Sequence, residues 1–198
     1  MTDANGRHAD YPVDPQFLNR WSPRAFTGED IPEGDILTML EAARFAPSSS
    51  NGQPWRFVYT LRGTPEFDKI LSSLVPFNQG WAKSASALML VISKAKRLAD
   101  DGEMKPVASH SFDAGSAWMS FALQAAKMGY FAHGMGGVDF DAARAAFSVP
   151  ENYTIEIAVA IGKRAPIDTL PEALAAREVP NHRIALNEIA FNGVFIGD

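Results

Sequence analysis

Between Val107 and Met128 the chain offers a helix with almost no polar face. Phe112, Ala114, Ala117, Trp118, Met119, Phe121, Ala122, Leu123, Ala125 and Met128 distribute apolar atoms around most of its circumference. A helix apolar all round must be buried all round. Two arrangements satisfy that demand: a central core helix wrapped by its own chain, or a helix whose outer side meets a second copy of the molecule. The second is favoured, because complete burial needs more layers than one domain of 198 residues ordinarily builds. The tail supports the same expectation. Ile184, Leu186, Ile189, Phe191, Val194 and Phe195 form an apolar C-terminal stretch that is poorly suited to lie free in water.

The rest of the composition narrows the chemistry. Hydrophobic residues make up 46% and charged residues 21%, as in an ordinary folded protein of one domain. The net charge of −5 and the lack of a basic block argue against a nucleic-acid or anionic-membrane surface. Any anion site must therefore be a local gathering of arginines. With no cysteine, disulfides, thiolate nucleophiles, iron–sulfur clusters and cysteine-bound zinc all drop out. Residues 1–11 are polar and lack the apolar core of a signal peptide, and the run Ala87–Ile92 is too short to span a bilayer. A soluble cytoplasmic protein is expected.

Along the chain, residues 1–13 are expected to be a flexible leader, residues 14–180 a single domain, and residues 181–198 a C-terminal arm. Short helices are predicted over Asp14–Arg20, from Pro32 to a stop at Pro47, and after a Thr64 cap with Pro65 in first position. Another is predicted over Asp139–Phe147. Arg56–Leu61, Ala85–Ser93 and Tyr153–Ile161 have strand character, the second long and apolar enough to be buried on both faces. The fold class is α+β.

Two segments carry the chemistry. Arg20-Trp21-Ser22-Pro23-Arg24 places two guanidiniums about a hydroxyl, a combination suited to gripping a phosphate. Alone it has little specificity, since exposed arginines after a short helix are common. Pro47-Ser48-Ser49-Ser50-Asn51-Gly52-Gln53-Pro54-Trp55 gathers hydroxyls, amides and backbone donors with no acidic side chain. The bland reading is a helix-to-strand turn. It leaves unexplained the rigid Pro54 and large Trp55 that would clamp the loop against the core. A phosphate grip together with a neutral donor cluster points to a phosphorylated, ring-bearing cofactor. Gly134-Met135-Gly136-Gly137 lacks the spacing of a dinucleotide-binding turn, but its glycines permit close backbone approach to a planar ligand. The histidines His8, His110, His133 and His182 are scattered, without metal-ligand spacing, and no nucleophile elbow is present.

These segments together resemble the nitroreductase family of flavin mononucleotide (FMN) oxidoreductases, from about Arg20 to Glu188. The resemblance implies a central, mostly antiparallel sheet flanked by helices, in an intertwined homodimer whose arms, residues 181–198, pack on the partner. It implies that Arg20, Ser22 and Arg24 hold the flavin phosphate and pyrimidine side, with Trp21 between them. Pro47, Ser48, Ser49 and Asn51 would lie against the ring, commonly from the partner subunit. Asn78 would meet the pyrimidine edge, Gly136 and Gly137 would present amides near N5, and Arg183 would close the phosphate site. Trp81 and Lys83 stand where some members carry a basic residue, and Asn181 where some carry a lysine.

The activity implied is two-electron transfer from NADH or NADPH to a nitroaromatic, quinone, enone or similar acceptor by a ping-pong route. Arg24 is the candidate for electrostatic stabilisation of the charge that reduction brings to the ring. Alternatives on the same fold are a flavin-consuming enzyme or a reductive dehalogenase. From another class comes a flavin-binding or sensing protein without turnover, its substrate slot closed by Trp21 and Trp81.

Overall fold

The computed structural model of the chain describes residues 1–196; the last two positions of the expected arm, 197 and 198, lie outside the described residues. The chain opens with an element that composition did not announce. Strand β1 (Thr2–Ala4) turns through Asn5 and Gly6, both at positive φ, into β2 (Arg7–Ala9). The segment expected to be a flexible leader is thus an antiparallel hairpin. Its polar sequence gave no apolar alternation to read, and the Asn-Gly turn is what directs the reversal. Helix α1 (Gln16–Asn19) follows and buries only Leu18.

Helix α2 (Glu33–Arg44) buries Ile36, Met39 and Ala43. Strand β3 (Trp55–Leu61) leads to α3 (Pro65–Ser72), where Thr64 accepts a hydrogen bond from the Phe67 amide and Pro65 sits in first position. Helix α4 (Pro76–Ala82) begins on a proline and buries Trp81 and Ala82. Strand β4 (Ala87–Lys94) is buried along nearly its whole length. A small hairpin of β5 (Lys96–Leu98) and β6 (Met104–Pro106) precedes helix α5 (His110–Lys127). The helix expected from Val107 starts three residues later, because the Val107 amide donates to the Ala95 carbonyl instead. Strand β7 (Phe131–Met135), helix α6 (Phe140–Ala146) capped by Asp139, strand β8 (Tyr153–Gly162) and helix α7 (Glu172–Ala175) complete the list.

The main sheet has the order β3-β4-β8-β7, and every pairing in it is antiparallel. Its two faces carry separate cores. Leu88, Leu90 and Ile92 of β4 point to one, with Phe67, Ile70, Leu74 and Trp81 from α3, α4 and their connection. Met89 and Val91 point to the other, with Ile36 and Met39 of α2 and Phe121 of α5. This two-sided burial is what a continuous apolar strand requires.

Helix α5 is divided. Asp113, Ala114, Ala117, Phe121, Ala122 and Ala125 are buried, and the small alanines let α2 approach closely. Its other side is not covered by its own chain: Phe112 is 79% exposed, with Met119 also exposed, and Leu37 and Phe45 of α2 likewise lie outside. The arm is similar. After a short turn at Leu186–Glu188 it leaves Ile184, Ile189, Val194, Phe195 and Ile196 exposed. No helix among the described residues is long and apolar enough to cross a membrane.

Candidate functional site

The segment from Arg20 to Arg24 enters extended from α1 and is held in place from three sides. Arg7, on the hairpin, donates from Nη1 to the carbonyls of Leu18 and Arg20 at 3.0 and 2.9 Å, and from Nε to Asn181 at 2.9 Å. Glu178, beyond α7, accepts the Arg24 and Ala25 amides on Oε1 at 2.7 and 2.9 Å. His133, on β7, places Nδ1 2.8 Å from the Pro23 carbonyl. A carbonyl only accepts, so Nδ1 carries the proton in that contact.

The result is a cavity of about 150 Å³ lined by Arg7, Arg20, Trp21, Ser22, Arg24, His133, Arg177, Val179, Asn181 and Arg183. Residues far apart in sequence thus converge: Arg20, Ser22 and Arg24 share a wall with Arg183. Arg7, Arg20 and Arg183 form no ion pair among the described residues. Burial and the neighbouring Arg183 and Arg20 hold the Arg7 guanidinium below its usual pKa; burial and Arg183 do the same for Arg20. Cations gathered without counter-charge disfavour one another, and an anion relieves the strain. The cavity volume sets a limit. It falls below the 300–1,000 Å³ typical of small-molecule pockets, so it suits a phosphate group but not a three-ring heterocycle.

Arg24 differs from the others. Its Nη1 lies 4.0 Å from Oε2 of Glu178, whose side chain is fully buried, and that oxygen has no hydrogen-bond partner. Arg24 is therefore a partly compensated charge and Glu178 a fixed carboxylate behind it. Burial lowers the His133 pKa and outweighs the opposing hydrogen bond to the Pro23 carbonyl, with Arg24 adding a smaller lowering effect and Glu178 a raising one, so the imidazole is neutral near pH 7.

Beyond His133, strand β7 runs into Gly136 and Gly137. Asn78, on α4, donates from Nδ2 to the Gly137 carbonyl at 3.3 Å, and the Val75 amide donates to the same oxygen at 3.0 Å. A Cβ on Gly137 would stand 2.7 Å from Asn78 Nδ2 and 2.8 Å from Val75, so only glycine admits this approach. Gly136 is exposed and a Cβ there would meet nothing within 4 Å, while its carbonyl accepts from the Val138 amide at 3.0 Å. Asn78, Gly136 and Gly137 therefore form one group, tied by β7 to the arginine cavity.

Pro47, Ser48, Ser49 and Asn51 are elsewhere. Among the described residues no hydrogen bond joins them to Arg20–Arg24 or to Asn78. The loop is built against α5: the Ser49 amide donates to Asp113 Oδ2 at 3.3 Å, and Ser109 donates to the same oxygen at 2.8 Å. The Gln53 amide donates to Ser48 Oγ at 3.0 Å, and buried Pro54 and Trp55 anchor the end. Ser50, Asn51 and Gln53 adopt φ of 49°, 53° and 44°. Left-handed conformations cost about 1–2 kcal/mol each for residues other than glycine. Such strain, kept in an exposed polar loop, is a mark of functional preorganisation.

Trp21 and Trp81 do not stand in an open slot. Trp21 is buried edge-on to Phe131 beneath the guanidinium of Arg164, and Trp81 stacks with Phe26 and tilts onto His133. Both aromatics, the candidates for closing a substrate slot, are buried in the chain, and Trp21 also lines the arginine cavity. Arg7, His133, Arg177 and Glu178 escaped the sequence reading. Arg7 sits in a stretch with no motif, and a lone acid such as Glu178 looks like any solvated residue until the fold buries it.

An antiparallel α+β fold with an arginine-lined anion cavity beside an amide-and-glycine group is the class this geometry defines. The profile of the nitroreductase family matches residues 18–163, and the chain belongs to that family. It is similar over its full length, and over that of the other chain, to a solved structure of an oxidoreductase containing FMN, with 48% identity and a TM-score of 0.98. It is 28% identical to YdgI of Bacillus subtilis strain 168, provisionally named an NAD(P)H nitroreductase, over 72% of this chain and 87% of that protein. The fold is shared with a nitroreductase family protein of Clostridium difficile 630, at 21% identity and a TM-score of 0.69, covering 91% of this chain and 97% of the other.

Proposed function

We propose that this protein is an FMN-dependent oxidoreductase that takes two electrons from NADH or NADPH and passes them, by a ping-pong route, to a small organic acceptor such as a nitroaromatic, quinone or enone. The observation that carries the reading is the convergence of Arg20, Ser22, Arg24 and Arg183 on one small cavity, in a chain of this family. The donor set fits the cofactor: guanidiniums without counter-ions suit a phosphate monoester, and one small cavity holds one phosphate rather than a pyrophosphate. When bound, FMN supplies the hydride chemistry that no side chain here can provide.

The chain's own residues then have separable tasks. Arg20, Ser22 and Arg183 hold the phosphate. Arg24 sets a positive field beside the ring, with Glu178 fixing its position and moderating its charge. Asn78 and the exposed peptide of Gly136 supply polar contacts along the ring's edge, and Gly137 keeps that edge accessible. Neutral His133 braces the Pro23 carbonyl without competing for the anion.

We assign the loop of Pro47, Ser48, Ser49 and Asn51 to the site of a second copy in a homodimer. Support comes from its separation from the arginine cavity and from its attachment through Asp113 to α5. The uncovered Phe112 and Met119 of that helix, and the exposed arm, suit burial against a partner. Anaerobic mixing of the purified yellow protein with NADH or NADPH tests the activity. Rapid loss of the flavin absorbance, followed by reoxidation on adding an acceptor, is expected; persistent colour with either nicotinamide would instead make this a flavin-binding protein without turnover.

A further inference from the structure

We infer that Arg7, on the N-terminal hairpin, is a further phosphate ligand, and that hairpin and C-terminal arm close over the anion together. The inference rests on the FMN reading above and extends it to a segment that the family match, residues 18–163, does not include. Arg7 lines the same cavity as Arg20 and Arg183. Its Nε and Nη1 are engaged by the carbonyls of Asn181, Leu18 and Arg20, and its Nη2 has no acceptor among the described residues.

One guanidinium therefore joins the hairpin, the entry to the grip and the residue two before Arg183. Those three carbonyls are neutral, so they orient the side chain without offsetting its charge. The acid nearest the grip, Glu178, is committed to the Arg24 and Ala25 amides. If Arg7 were only a tie between segments, a neutral donor would serve, and a third cation beside Arg20 and Arg183 would be a net liability. An anion shared by the three turns that liability into affinity, because a planar guanidinium already held by two of its nitrogens loses little freedom on binding.

The test uses the full chain freed of flavin, titrated with FMN and with riboflavin, which lacks the phosphate, by quenching of flavin fluorescence. Arg7→Gln removes the charge and leaves a shorter side chain with a single amide donor group. It is expected to weaken FMN binding on the order of tenfold or more and to leave riboflavin binding unchanged, while Arg7→Lys retains part of the preference. Inorganic phosphate should compete with FMN at the wild-type protein and much less at Arg7→Gln. If Arg7→Gln discriminates FMN from riboflavin as well as the wild type does, or loses both flavins equally, Arg7 is a structural tie and the inference is overturned. Wild-type protein that binds neither flavin would overturn the cofactor reading itself, an outcome distinct from both.

Discussion

The arginine cavity and the Ser48–Asn51 loop are both polar, yet the fold builds them oppositely. The cavity is assembled within one chain from Arg7, Arg20, Arg24, Arg177 and Arg183, which lie at the two ends of the sequence. The loop is made almost entirely by its own residues, strained at Ser50, Asn51 and Gln53, and held by Asp113 of α5, with no hydrogen bond to Arg20–Arg24 among the described residues. The cavity is thus assembled in a single chain, whereas the loop does not contribute to its lining. The difference is the one that the proposed sharing of a site between two copies of the chain would require.

The strongest way to break that comparison is to remove the arm. Each aliphatic or aromatic side chain it buries is worth roughly 1.5–3 kcal/mol before the entropy of ordering is subtracted. Deleting residues 181–198 is therefore expected to lower dimer stability and flavin content together, whereas Arg183→Ala lowers flavin content alone. Light scattering and the flavin-to-protein absorbance ratio separate the two; a truncated protein that stays dimeric and fully yellow would show that the arm does neither job.

A mixed dimer sharpens the comparison further. Arg20→Ala damages the cavity and Asn51→Asp puts a negative charge on the loop, so each homodimer should lose most of its activity. If the two halves of a site come from different subunits, a heterodimer of the variants contains one intact site of two. Co-expression with two affinity tags is expected to recover activity in the doubly tagged fraction. Activity no higher than that of either parent would place cavity and loop in the same subunit.

Within the cavity, Arg24 and Arg20 should part company. Replacing Arg24 by Gln removes a charge-assisted contact worth about 1.5–3 kcal/mol, and we expect it to slow reduction by nicotinamide more than it weakens FMN affinity. Stopped-flow reduction at saturating nicotinamide decides this; an unchanged rate with weaker binding would make Arg24 a ligand only. Glu178→Gln keeps an acceptor for the Arg24 and Ala25 amides but frees Arg24 from its counter-charge. The melting temperature should change little while the flavin midpoint potential rises. Glu178→Ala strands two amides and should unfold at lower temperature.

The smallest effect concerns pH. His133 has a lowered pKa in the folded protein, so the unfolded chain takes up its proton first. Stability on account of His133 is full above the ordinary histidine value of about 6.5 and declines as pH falls below it, towards the folded value. His133→Asn should flatten this part of the stability curve between neutral and mildly acidic pH, measured by thermal melts.

Much of the framework was legible because local signals agreed with the fold. Thr64 and Pro65 started α3, Asp139 capped α6, and the apolar run around Leu88 to Ile92 was the doubly buried strand it looked like. The hairpin at residues 2–9 was not legible, since its residues carry neither apolar alternation nor helical spacing. Its place depends on Arg7 reaching carbonyls more than ten residues away.

The sequence by itself determined the family, through that resemblance the antiparallel sheet between helices, and the candidacy of Arg20, Ser22 and Arg24 as a phosphate grip, because motif spacing and side-chain chemistry are local. Only the tertiary structure decided that Asn78 meets Gly137, that Glu178 stands buried behind Arg24, that Trp21 and Trp81 are buried, and that Arg7 joins Arg20 and Arg183. The physical reason is that charge and burial act through distance in space. A guanidinium or carboxylate acquires its task from neighbours that chain order does not reveal.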